Sequence, residues 1–155
     1  MRRSFAGLRW YPIDQSWKLT AKFVPAPAKT RLIFDTIVGE QEVSDCPGYA
    51  VFEREGKSYR LQAAKEPDGS LWFVLRDGTS GRTTAGGARQ LVVPAPRGET
   101  LVLDFNKVIN FPCAYIPYAT CPLASPQNRL SLPITAGELK YEVAAKAAGS
   151  ERPGP

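Results

Sequence analysis

The stretch Tyr49–Arg76, YAVFEREGKSYRLQAAKEPDGSLWFVLR, decides the fold class. Tyr49 to Arg54 and Ser58 to Ala64 flank Glu55-Gly56-Lys57, a hairpin signal with glycine in the loop. Pro67-Asp68-Gly69 supplies a second turn: proline presets one backbone angle, the aspartate side chain bonds nearby backbone, and glycine accepts a left-handed conformation. Leu71 to Arg76 follows as a further strand. Short strands separated by turn chemistry predict an antiparallel meander.

Working outward, Trp17, Leu19, Ala21 and Phe23 alternate with Lys18, Thr20 and Lys22, which predicts a half-buried strand ended by Pro25-Ala26-Pro27. Arg31 to Val38 is a second strand, β-branched at Ile33 and Ile37 and closed by Gly39. Gln41 to Ser44 is a short extension before the turn Asp45-Cys46-Pro47-Gly48. Upstream, Phe5, Leu8, Trp10, Tyr11 and Ile13 form an apolar arm interrupted by Pro12. Downstream, Leu91–Val93 and Leu101–Phe105 are expected to pair across Pro94–Gly98. Arg129–Ile134 alternates again, and Leu139–Val143 is expected as a last short strand. With no internal repeat and no long amphipathic helix, the expectation is an all-β fold: a single antiparallel barrel or sandwich over residues 1–146. The small, polar, proline-capped tail 147–155 is expected to be disordered.

The segment from Asn106 to Asn128 breaks this pattern. Pro112, Pro117, Pro122 and Pro126 forbid a helix and cannot donate to a ladder, yet Ile109, Phe111, Cys113, Tyr115, Ile116, Tyr118 and Leu123 keep it apolar. A long, irregular, apolar loop fixed by prolines is expected to pack across one end of the domain and to carry function.

Composition removes several chemistries. The chain has no histidine, so it lacks the commonest general base and metal ligand and the usual Ser/His and Cys/His nucleophile pairs. Its cysteines, Cys46, Cys113 and Cys121, are odd in number and form no C-x-x-C. They suggest neither a disulfide framework nor a complete zinc site, and no metal is expected. A formal charge of +5 spread without a block of like charges reads as ordinary surface, so no nucleic-acid partner is expected. No apolar run reaches membrane length and the start is not that of a signal peptide, which predicts a cytoplasmic protein with no membrane partner.

Candidate site residues fall in two places. The glycine-rich segment Asp77–Arg89 lacks the Gly-Lys-Ser/Thr ending of a phosphate loop and reads as a wide hairpin or bulge. Its sharper reading is a backbone nest with Arg82 or Arg89 facing an anion. In the central stretch, Asp104 and Asn106 read as capping residues, or as a polar cluster with Asn128 and Arg129. An Asp104–Arg129 pair is expected to close the neck of the loop. Cys113 and Cys121 read as small buried hydrophobes or as a redox pair. Tyr115 and Tyr118 read as packed aromatics with bonded hydroxyls, and Glu138 as a solvated turn residue or a third member of the Asp104–Arg129 cluster.

Together, Leu103-Asp-Phe-Asn106, Phe111-Pro-Cys-Ala-Tyr115, Ala119-Thr-Cys-Pro-Leu123, Asn128-Arg-Leu130 and Ala136-Gly-Glu138 resemble the C-terminal signature of the domain of unknown function 1684 family. Phe5-Ala-Gly-Leu8, Asp77-Gly-Thr-Ser-Gly81 and Gly87-Ala-Arg89 resemble its weaker motifs. The chain departs from the pattern at Thr84-Ala85, where a tyrosine is usual, and in splitting a Gly-Arg pair as Gly87-Ala88-Arg89. Members carry more sequence before Phe5, so the chain reads as a short form. The resemblance implies a prokaryotic protein and a distinct folding unit, and it implies no reaction.

Two functional expectations follow. The first is a binding module for a small anionic ligand, with candidates Arg82, Arg89, Asp104, Asn106, Cys113, Tyr115, Cys121, Asn128 and Arg129. The alternative is an enzyme centred on Cys113 or Asp104, or a flavin-binding protein by analogy with split barrels of this size. Neither a cofactor nor an oligomeric state is legible.

Overall fold

The structure is a computed structural model and describes residues 5–142. It is built almost wholly of strands: β1 (Lys18–Pro25), β2 (Arg31–Asp35), β3 (Gln41–Asp45), β4 (Gly48–Arg54), β5 (Lys57–Lys65), β6 (Leu71–Leu75), β7 (Arg89–Val93), β8 (Thr100–Asp104) and β9 (Ile109–Asn110). The remaining regular elements among the described residues are short 3-10 turns. Seven strands form one curled antiparallel sheet in the order β8-β1-β4-β5-β6-β7-β9, a half-barrel, and β2-β3 form a separate hairpin.

The meander β4-β5-β6 stands as predicted, with Tyr49 opposite Gln62 and Ala64 opposite Trp72. Glu55 and Gly56 take positive φ in its first turn, and Gly69 in its second. The expected pairing of Leu91–Val93 with Leu101–Phe105 is not found. β7 pairs β6, and β8 pairs β1 on the far side of the sheet. Both candidate strands alternate with period two, which fixes a face but not a neighbour. Arg31–Val38 is shorter than expected, and the supposed extension Gln41–Ser44 is its antiparallel partner.

Two apolar layers hold the sheet. Its concave face gathers Trp17, Ala21, Phe52, Leu61, Phe73, Leu75, Leu91, Leu103 and Phe105, closed over by Val108, Leu132, Ile134 and Ala136. Leu132, Ile134 and Ala136 are buried between exposed Ser131, Pro133 and Thr135, so the predicted alternation is real although the segment joins no ladder. The other face of β5-β6 presents Ala64, Trp72 and Val74 to Leu32 and Phe34 of the hairpin and to Phe111, Cys121 and Ala124 of the central loop. That double burial explains the unbroken apolar run Leu71–Leu75. The expectation of a packed, proline-fixed loop therefore holds. The loop also bonds the hairpin directly, with the Leu123 amide donating to the Asp35 carbonyl at 2.7 Å and Ile37 to Cys121 at 3.1 Å. Leu139–Glu142 forms no strand; residue 143 and the tail 147–155 lie outside the described residues.

Candidate functional site

Arg89 is the largest fully buried side chain among the described residues. A buried guanidinium must have its charge and donors answered inside the protein. Asp77, equally buried, lies 2.9 Å away. Its two terminal nitrogens also reach the carbonyls of Ala136 at 2.7 Å and of Ile134 and Glu138 at 3.2 Å, while the buried Nε has no hydrogen-bond partner. Asp77 in turn accepts from the Thr79 amide and hydroxyl and from the Ile134 amide. Arg89 thus staples the C-terminal segment to β7 and faces no external anion.

The nest reading of Asp77–Arg89 is corrected by the same turn. The amide of Ser80 bonds Asp77, that of Gly81 bonds Thr84, and those of Arg82, Thr83 and Thr84 converge on the Thr79 carbonyl. The exposed Arg82 folds back on the Gly78 carbonyl at 2.5 Å. Few donors remain for an anion there.

Nor does the neck of the central loop close as expected. Among the described residues the ion pairs are Arg9–Glu142, Arg31–Asp45 and Arg89–Asp77, and Asp104 with Arg129 is not one of them. Asp104 caps the 3-10 turn Phe105–Lys107 through Asn106. Asn106 holds Asp14 of the N-terminal arm through both its amide atoms, at 2.9 and 3.0 Å. Arg129 is exposed and bonds only the nearby Ala124 carbonyl through Nε, at 3.1 Å. Asn128 does fold back and pin the loop, but onto β5 and β6: it bonds the Gln62 amide and carbonyl and the Val74 carbonyl.

The residues that do meet around one surface feature include Gly87, Ala88, Phe111, Cys113 and Ala114 of the family-like segments. The 3-10 turn Pro112–Ala114 and the bend Ala85–Ala88 form two walls of a groove of about 280 Å³. Ile37, Phe111, Cys113, Lys140 and Tyr141 complete it. No backbone–backbone hydrogen bond among the described residues engages Ala85, Gly86 or Gly87. A Cβ at Gly87 would meet the Leu123 side chain at 3.4 Å, an ordinary contact distance. Lys140 and Tyr141 were missed by the sequence reading, because a lone lysine at the end of an expected strand carries no signal.

Beneath the groove, Glu138 is buried rather than solvated. It accepts from the Asn110 amide at 2.8 Å and from the Tyr115 hydroxyl. Burial pushes its carboxyl up, against the lowering effect of the Asn110 bonds and the nearby Arg89 charge. The adjoining cavity, bounded by Arg9, Tyr115, Glu138 and Tyr141, holds about 30 Å³, room for roughly one water.

The thiols are not activated as nucleophiles at neutral pH. Burial and the neighbouring Cys121 push Cys113 up to about 12, opposite to the lowering that activates a thiolate. Burial also raises Cys46. All three cysteines are free. No cluster of His, Cys, Asp and Glu able to hold a metal occurs among the described residues.

Other surface concavities, of about 310 and 390 Å³ beside Pro94-Ala95 and about 330 Å³ beside Pro27-Lys29, are formed by turns and strand ends. None gathers the family-like segments.

A family model described as "Protein of unknown function (DUF1684)" matches residues 3–139. The chain belongs to the DUF1684 family. Its solved relatives include the solution NMR structure of an uncharacterized protein from Haloarcula marismortui, 26% identical, with a TM-score of 0.71, covering 89% of this chain and 78% of that one. No curated protein matches. No helix among the described residues is long and apolar enough to cross a membrane. This DUF1684 chain therefore has a shared architecture, and the groove brings together two of its family-like segments, 87–89 and 111–115.

Proposed function

We propose that the protein is a small-molecule binding domain and that its ligand occupies the groove between Gly86-Gly87 and the Pro112–Ala114 turn. The observation that carries this reading is the composition of the groove: apolar walls at Ile37, Phe111 and Ala114, amides at Gly86 and Gly87 with no backbone partner among the described residues, and Lys140 in the lining. Apolar lining with a few placed polar groups is the usual make-up of a ligand site. The matching ligand has a compact apolar body and one carboxylate or phosphate directed at Lys140. At about 280 Å³ the groove sits below the ~300–1,000 Å³ typical of drug-sized ligands, which suits a metabolite better than a flavin. Of the candidates from the sequence, Cys113 lines this groove and Tyr115 lies beneath it.

The test is a thermal-shift screen of small carboxylates and phosphates on wild type, Lys140→Ala and Gly87→Leu. A compound that stabilises wild type, binds more weakly to Lys140→Ala and not at all to Gly87→Leu supports the assignment. Stabilisation that survives Gly87→Leu unchanged removes the ligand from this groove.

A further inference from the structure

Cys113 and Cys121 stand at the two ends of the loop that forms one wall of the groove. The amide of Cys113 donates to the Cys121 sulfur at 3.3 Å, which sets that sulfur against the Cys113 backbone. The two differ in access: Cys113 lines the groove and is half-buried, whereas Cys121 is buried beneath the loop. The third cysteine, Cys46, is turned to another partner, its thiol donating to the Gly48 carbonyl at 3.5 Å.

We infer that Cys113 and Cys121 form a reversible redox site whose oxidising substrate is a low-molecular-weight disulfide admitted through the groove. Cys113, the accessible sulfur, loses its proton and attacks one sulfur of the incoming disulfide. Its S–S bond breaks and one small thiol leaves, taking up a proton. Cys121 then loses its proton and attacks the Cys113 sulfur of the mixed disulfide. The second small thiol leaves with that proton, and the protein carries a Cys113–Cys121 bond. Two protein thiols are oxidised and one small disulfide is reduced to two thiols. A high Cys113 pKa keeps the thiolate scarce at neutral pH, so the first step is slow and accelerates as pH rises. The bond ties down the proline-fixed turn and so reshapes one wall of the groove. This site stands whether or not the groove binds an anionic metabolite.

Oxidised glutathione is the probe. After incubation the protein is unfolded in denaturant, treated with N-ethylmaleimide and weighed by intact mass. Reduced wild type takes three adducts, one for each free cysteine. Oxidised wild type takes one and is lighter by about 2 Da before labelling, with peptide mapping placing the surviving adduct on Cys46. Cys121→Ser stops at a glutathione adduct on Cys113, because no second thiol displaces it. Cys113→Ser stays reduced. Three adducts on wild type after oxidation at pH 9, a lasting glutathione adduct in wild type, or a disulfide that includes Cys46 each overturn the inference.

Discussion

The side-chain amide of Asn128 lies between Gln62 and Val74 and substitutes for the ladder that β5 and β6 fail to make there. β5 and β6 pair at Ala64–Trp72 and Lys65–Leu71, and continuing that register sets Gln62 opposite Val74. The strands have instead separated. Asn128 Oδ1 accepts from the Gln62 amide at 2.7 Å, and Nδ2 donates to the Gln62 carbonyl at 2.9 Å and to the Val74 carbonyl at 3.0 Å. An amide side chain carries both a donor and an acceptor, as a peptide unit does, so it can stand in for one.

Asn128→Ala therefore leaves three backbone groups unpartnered in the interior. At roughly 1–3 kcal/mol per unsatisfied group, and less than additive, the expected loss is about 3 kcal/mol in urea unfolding. Asn128→Asp keeps the acceptor but turns a carboxylate toward two carbonyls, so it is expected to be at least as damaging. Arg129→Ala, by contrast, removes an exposed side chain with one local bond and is expected to melt close to wild type. Equal losses at positions 128 and 129 contradict this division.

Arg89 answers four acceptors with one planar fork. Arg89→Leu strands the Asp77 charge in a dry interior, and breaking such a pair costs about 3–5 kcal/mol. Arg89→Lys is expected to recover little, since an ammonium cannot span Asp77 and the carbonyls of residues 134, 136 and 138 together. The double variant Asp77→Asn/Arg89→Leu is expected to be more stable than Arg89→Leu alone. Urea denaturation of wild type, Asp77→Asn, Arg89→Leu and the double variant closes the cycle, and strict additivity is the opposing result.

Much of the fold was legible because its signals are local. The Tyr49–Arg76 meander needs only alternation and glycine turns, and both are read directly from the chain. What failed was long-range choice of partner. Arg129 was selected for the loop neck by its charge and its nearness in sequence to Asn128, whereas the neck is closed by an amide. Arg89 read as facing an external anion because arginine is rarely buried, and Glu138 read as solvated for the same reason. Their burial depends on one another through segments up to 49 residues apart, and no periodicity records that. The groove was half legible. Cys113 was singled out from its own stretch, while Lys140 reaches the site through contacts distant in sequence: Arg89 holds the segment before it, and its own amide bonds the Thr83 carbonyl at 2.8 Å.

Glu138 makes stability depend on pH in a particular direction. Burial raises its folded pKa above the ordinary value of 4.5. Folding then favours the protonated form, so its contribution is fully present below the unfolded pKa and is lost as pH rises through the folded one. Wild type is expected to lose stability relative to Glu138→Gln as pH increases upward from about 4.5. A stability difference that stays flat through that range shows that Glu138 titrates like an exposed carboxylate.

Gly137 cannot be replaced cheaply. Its φ is +80°, and an added Cβ would stand 2.6 Å from the Val108 carbonyl oxygen. Left-handed backbone costs an ordinary residue about 1–2 kcal/mol, and the clash adds to it. Gly137→Ala is expected to lose at least ~3 kcal/mol. Gly56, with φ of +76° and open space around it, is expected to tolerate alanine at the backbone cost alone. Thermal melts of the two variants decide the matter, and similar melting temperatures contradict it.

The groove itself is tested most directly by amide chemical-shift mapping. Labelled protein is titrated with a compound that raises its melting temperature, and shifts are followed residue by residue. The account predicts saturable shifts concentrated at Gly86, Gly87, Cys113, Ala114 and Lys140, with the Arg82 turn and the Asp104–Asn106 turn unmoved. Shifts centred on Arg82, Asp104 or Arg129, with Gly86 and Gly87 silent, would contradict it.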